Sequence, residues 1–257
     1  MLQGFTPPFT PRGISSLVAP PPWHYAGWIL SVEFECDRTA AAAFVPAQLG
    51  AATGRGTVHF ADWQATTDGS ELLDPVQSQY RETIVVLEIE RPGAAPANFC
   101  PFIYVDQDVS LLRGQLQGWP KKMGTTWLTR SLPLDHVAAA PLRAGTRLGA
   151  SLTVKDRRLV EARLELTGRE EEPLGFLARP TWGTVGWADL THPERMPELR
   201  HIRGVVSQRV AGTWHGARAE LSFQAAPREE LADLQLRRAI RASAGWFAMT
   251  VTGATAE

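Results

Sequence analysis

Lysine is nearly missing from this chain. Of its 26 basic residues only three are lysines (Lys121, Lys122 and Lys155), and two of these are adjacent. Cysteine is scarce as well. Cys36 and Cys100 lie far apart without any CxxC spacing, so they read as buried free thiols. The six histidines (24, 59, 136, 192, 201 and 215) show no HExxH-like spacing, and neither a metal nor any other cofactor is expected. An excess of either charge is absent: the formal net charge is -1, which argues against nucleic acid as the main partner. No hydrophobic run reaches membrane-spanning length, and the opening Met-Leu-Gln-Gly-Phe-Thr-Pro-Pro does not resemble a signal peptide. These absences together lead to the expectation of a soluble cytoplasmic protein with no membrane partner.

What is present is enough for a large core: 257 residues, 44% of them hydrophobic. Residues 1–23 are Pro-rich and aperiodic, an extended N-terminal arm. From Gly27 to Glu35 the residues Trp28, Leu30, Val32 and Phe34 alternate on one face, as in a strand. Asp37 caps a short helix through the alanine run to Phe44, before Pro46. Strands are expected at Thr57–Trp63, Tyr80–Glu90 and Phe102–Val105, and a polar loop over Thr66–Pro75. A helix capped by Asp108 should stop at Gly118, with an extended segment from Thr125 to Arg130. Arg147–Val154 and Leu159–Leu166 flank a polar turn and predict a hairpin, with further strands at Gly204–Trp214, Ala217–Phe223 and Trp246–Val251. Pro227–Ala242 reads as a helix, with Glu229 and Glu230 at its N-terminal end and Arg237, Arg238 and Arg241 at its C-terminal end. No repeat or linker cuts the chain, so residues 1–257 are taken as one domain, mainly β with a few short helices (α+β).

The lysine pair lies in Gly118-Trp119-Pro120-Lys121-Lys122-Met123-Gly124, where the helix hands over to the extended segment. Such a pair is usually a solvated patch. Trp119, Pro120 and Met123 are poor neighbours for one, however, in a chain that otherwise uses arginine for its cations. Arginine cannot lose its proton at working pH, whereas lysine can become a neutral, nucleophilic amine.

This segment resembles the signature of the acetoacetate decarboxylase family, Gly-aromatic-Pro-Lys-Lys-Leu-Gly. Pro11-Arg12-Gly13, Val45-Pro46-Ala47-Gln48-Leu49 and Tyr80-Arg81-Glu82 agree with the same family. The resemblance implies a decorated, closed antiparallel β-barrel and a homo-oligomer. It also implies that Lys121 forms a Schiff base with a ketone and that Glu82 moves protons beside it. Acetoacetate decarboxylase is itself the standard example of a lysine activated by a lowered pKa, and burial or a nearby cation can lower it. The resulting iminium is an electron sink for breaking a neighbouring bond. Alternation places Tyr80 on the same face as Glu82.

The resemblance is incomplete in one respect. The arginine that decarboxylases place near the substrate carboxylate falls at Gly27, and a second acidic position falls near Ala61 or Asp62. Tyr80-x-Glu82 with Gln117-x-x-x-Lys121 is similar to the aldolase-dehydratase branch, which condenses pyruvate or a related keto acid with an aldehyde. Tyr80 would then handle the aldol hydroxyl, and Gln117 would bind the substrate. Lys122, Trp119, Trp28 and Arg113 complete the expected binding residues, with Arg12 and Arg81 as other sources of the missing arginine. Trp23, Trp63 and Trp246 extend the set that would form an aromatic pocket for a bulky aldehyde. Decarboxylation of a β-keto acid, a tailoring cyclase and a non-catalytic binding barrel remain as alternative readings.

Overall fold

The strand expected at Gly27–Glu35 runs from Trp23 to Cys36 in the computed structural model, which describes residues 1–257. Strands β1 (Trp23–Cys36), β2 (Ala51–Thr66), β3 (Gln79–Glu90) and β4 (Ala97–Val105) form a meander. Next come β5 (Lys121–Met123), β6 (Thr125–Leu128), β7 (Arg147–Val154) and β8 (Arg157–Glu170). The chain ends with β9 (Thr181–Val185), β10 (Arg200–Ala211), β11 (His215–Phe223) and β12 (Leu236–Ala256). Three short helices interrupt them: α1 (Arg38–Ala42), α2 (Pro75–Ser78) and α3 (Asp108–Leu116).

Hydrogen-bonded neighbours close a ring in the order β1-β2-β3-β4-β9-β10-β12 and back to β1. The expected closed barrel is this ring. It departs from a purely antiparallel one at β4–β9, which pair in parallel. A second layer, β11-β8-β7-β6, continues from β12 and covers the outer face of the meander. The two faces of each ring strand therefore meet different cores, because successive side chains point to opposite sides. Trp28, Leu30, Val32 and Phe34 face the interlayer core with Val85, Leu87 and Leu164. Tyr25 and Ile29 face the ring interior with Ala61, Trp63, Tyr80 and Ile84. Each large side chain buried this way contributes about 1.5–3 kcal/mol.

Local signals act where expected at several ends. The Asp37 side chain accepts from the backbone N–H of Ala40 at 2.9 Å, capping α1. Gly118 takes φ +81 just beyond α3, a backbone conformation that L side chains rarely adopt. Lys155 and Asp156, at φ 49 and 61, form the two-residue hairpin turn between β7 and β8. The cap of α3 lies one residue earlier than expected: the Gln107 side chain accepts from Ser110 N–H at 2.8 Å, and Asp108 is the first helical residue. The polar loop over 66–75 contains a 3-10 turn, Ser70–Leu73, and leads into α2.

The helix expected over Pro227–Ala242 is corrected. A 3-10 turn at Leu231–Leu234 is followed by Gln235 at φ 52, and β12 begins at Leu236. The arginines that suggested a helical C-terminus instead form ion pairs across the β1–β12 ladder. Arg241 meets Glu33, Arg238 meets Glu35 and Arg237 meets Asp37. Pairing with a central strand and burial of Ala242 and Ala244 override the local helical preference.

Candidate functional site

Lys121 and Lys122 are separated by the simplest property of a strand. In the parallel β4–β5 ladder Lys121 lies beside Ile103, which faces the ring interior, and Lys122 beside Tyr104, which faces the interlayer core. Lys121 is consequently buried, while Lys122 projects outward and is half-exposed. Lys122 Nζ meets Glu229 at 2.6 Å, and Glu229 also accepts from the Tyr104 hydroxyl at 2.7 Å. Lys122, expected among the binding residues, therefore lies outside the cavity.

The Lys121 stem crosses α3 at Gly114. A Cβ on Gly114 would lie 2.3 Å from Lys121 Cδ and 2.4 Å from Cε. A mid-helix glycine costs about 1 kcal/mol relative to alanine, and here it opens the groove through which the amine reaches the cavity. Lys121 Nζ donates to Glu82 Oε2 at 2.7 Å and to Ser110 Oγ at 2.8 Å. Glu82 Oε1 in turn accepts from Trp63 Nε1 at 2.7 Å. Burial pushes the Lys121 amine below its ordinary pKa; Glu82 opposes this and the Arg113 cation adds to it. Tyr80 stands 5.3 Å from Nζ by its ring centroid, and burial, reinforced by Glu82, holds its phenol well above the ordinary value and hence protonated. Burial likewise raises the Cys100 thiol and keeps it inert.

Lys121, Glu82 and Tyr80 line a cavity of about 310 Å³. Tyr25 of β1, Trp63 of β2 and Ile84 of β3 contribute one wall. Gln117 and Trp119, at the end of α3, contribute another, and Phe176, Met249 and Val251 face them. Gln117 Nε2 donates to Arg113 O at 3.1 Å and to the Tyr25 hydroxyl at 3.4 Å. Arg113 is buried behind Tyr25, with Cζ 5.6 Å from the ring centroids of both Tyr25 and Trp23. Its Nε has no hydrogen-bond partner.

Trp28, an expected substrate contact, belongs instead to the interlayer core, where its Nε1 donates to Thr129 O at 2.9 Å. The reason is parity: Tyr25 and Gly27 face inward, so Trp28 faces outward. Trp246 packs against Trp28 in a tilted arrangement, 5.3 Å between centroids. Ala61 faces the ring interior, while Asp62 points outward to Arg130 at 2.6 Å. Arg81 stacks on Trp127 at 4.0 Å and pairs with Asp106, and Arg12 lies on the exposed arm. Of the three arginines considered for the substrate carboxylate, only Arg113 adjoins the cavity. Sequence reasoning missed Ser110, Tyr25, Phe176 and the cavity-lining Arg179, Arg203 and Arg209. The mid-helix Gly114 was the one local signal that a side chain crosses α3.

The chain is thus a closed, decorated β-ring with one buried lysine, on the short strand β5 that pairs with β4. A family model described as acetoacetate decarboxylase matches residues 5–257, and the chain belongs to that family. The enduracididine biosynthesis enzyme MppR, solved with the condensation product of pyruvate and imidazole 4-carboxaldehyde, is 28% identical with a TM-score of 0.92. That match covers 100% of this chain and 97% of MppR, and MppR has also been solved with pyruvate. An acetoacetate decarboxylase-like enzyme from Sphingomonas wittichii RW1 is 25% identical, TM-score 0.88, over 99% of both chains. The acetoacetate decarboxylase of Legionella pneumophila, 13% identical with a TM-score of 0.76 over 100% of this chain and 96% of that one, shares the fold. No curated protein matches the chain.

Proposed function

We propose that this enzyme condenses pyruvate, or a close keto acid, with an aldehyde through an imine on Lys121 and then removes water. One observation carries the reading. A buried amine, lowered in pKa by its surroundings, touches a carboxylate at 2.7 Å on the wall of the cavity. The pyruvate and pyruvate-aldehyde complexes of MppR support the same substrate class.

The neutral Lys121 amine attacks C2 of pyruvate and forms the C–N bond, and its surplus proton moves to the former carbonyl oxygen. Glu82 takes the proton that the Lys121 ammonium gives up and passes it to that hydroxyl as water leaves, which yields the iminium. Glu82 then takes a proton from the methyl carbon, giving the enamine. The enamine carbon attacks the aldehyde carbonyl, and the new alkoxide takes its proton from Tyr80. The Tyr80 phenolate takes the second methyl-derived proton and passes it to the departing hydroxyl, which releases water and forms the double bond. The Lys121 ammonium set free by hydrolysis then gives its extra proton back to Tyr80. Gln117 and the Tyr25 hydroxyl bind the pyruvate carboxylate, and Arg113 supplies positive potential from behind them.

Borohydride reduction in the presence of pyruvate tests this reading. The expected result is a mass increase on the peptide that contains Lys121, absent in Lys121→Ala. Unchanged labelling in Lys121→Ala would sink it. Carbon dioxide release from acetoacetate, without condensation of pyruvate with any aldehyde, would assign the site to decarboxylation instead.

A further inference from the structure

We infer that the open end of the cavity is an anion subsite, formed by Arg203 and Arg209, for a carboxylate or phosphate at the far end of the aldehyde partner. The inference rests on the pyruvate-aldehyde reading for the identity of the partner, and on its own geometry for the subsite.

Both arginines come from β10 and line the same cavity as Lys121, at its more exposed end. Regular alternation would put Val206 and Arg209 on opposite faces, since they are an odd number of residues apart. The β10–β12 register breaks between Ser207 and Val210, and Gln208 adopts φ 48. This bulge brings Val206 and Arg209 to one wall. It is pinned by the Thr250 hydroxyl, which donates to Gln208 Oε1 at 2.7 Å. Arg209 Nη1 donates to Leu177 O at 2.9 Å, which fixes the guanidinium against the neighbouring loop. Arg203 Cζ lies over the Trp182 ring, 5.4 Å from its centroid.

Neither guanidinium pairs with a carboxylate. The third arginine of this wall, Arg179, is held by Glu88, and the arginines along the outer β1–β12 ladder all meet acids. Two unpaired cations on a cavity wall raise the local concentration of anions and present charge-assisted donors to them. The cavity that holds these arginines and Lys121 is also lined by Ile84, Trp119, Phe176 and Val251, apolar surface suited to a ring-sized body. The partner this wall fits is an aldehyde whose carbonyl end is apolar and whose other end is anionic.

Unreactive probes isolate the subsite. Titration calorimetry compares 4-methylbenzoate and 4-methylphenyl phosphate with neutral 4-methylbenzamide. The wild-type protein should bind the better anion about ten-fold more tightly than the amide, the scale of a charge-assisted contact in a partly solvated site. Which anion is preferred identifies the group. Arg203→Gln and Arg209→Gln should each reduce the preference and together remove it, whereas Arg113→Met should retain it. Equal binding of all three probes, or a preference lost only in Arg113→Met, overturns the subsite. Borohydride trapping of pyruvate on the same proteins keeps the two ideas apart. Trapping without anion preference defeats the subsite alone, and anion preference without trapping defeats the aldolase reading alone.

Discussion

Gly27 and Trp63 face each other across the β1–β2 ladder, and a Cβ on Gly27 would lie 2.5 Å from Trp63 Cε3. The indole occupies the space that any side chain at position 27 would need, and the same indole holds Glu82 through Nε1. Gly27, where the resemblance would put an arginine, is thus tied to the placement of the Glu82 carboxylate.

Gly27→Ala is expected to destabilise the protein by about 1–3 kcal/mol, the usual cost of overpacking, because the backbone Asp62 O at 2.7 Å blocks retreat on the other side. Pyruvate trapping should slow as Trp63 shifts and Glu82 loses its fixed donor. Gly27→Arg should not restore decarboxylation. Thermal unfolding and carbon dioxide release check both statements, and a Gly27→Ala protein of unchanged stability and trapping rate would contradict the first.

Lys122 contacts Glu229 and lies over Tyr104, 5.8 Å from its ring centroid, on the side of the strand away from the cavity. Lys122→Gln is expected to leave the pH profile of pyruvate trapping unmoved. Its stability cost should be about 0–1 kcal/mol, as for an ion pair with one half-exposed partner. A displaced pH midpoint would show that Lys122 acts on Lys121 after all.

Much of this arrangement was legible in the chain, and the parts that were not share a cause. Lys121 stood out because local sequence marks it, a rare lysine in an apolar turn, whereas Glu82 was picked out only through the family resemblance of Tyr80-Arg81-Glu82. Many short strands pointed to a mainly β domain, and the family resemblance supplied the closed barrel. Trp28 and Lys122 were misplaced because a strand's alternation says which residues share a face, not which of two cores that face meets. The 227–242 helix failed because Arg237, Arg238 and Arg241 take their partners from β1, some two hundred residues away in sequence. Arg203 and Arg209 were invisible for a similar reason. The wall they share with Val206 depends on register breaks against β12, which no local pattern encodes.

Glu82 and Arg113 act on Lys121 with opposite signs, and this gives the sharpest test of the site. The attacking species is the neutral amine, so the trapping rate rises with pH through the amine's pKa. The Glu82 carboxylate favours the ammonium and raises that pKa, while the Arg113 cation disfavours it and lowers it. Glu82→Gln should therefore move the midpoint of the profile to lower pH and Arg113→Met to higher pH. The maximal rate should separate the two further. Glu82→Gln removes the proton carrier for water loss and should slow trapping by about 100-fold or more. Arg113→Met leaves that carrier in place and should act mainly by raising the pyruvate concentration needed for half-maximal trapping. Midpoints that move in the same direction would mean that one of these two residues does not reach Lys121 through its charge.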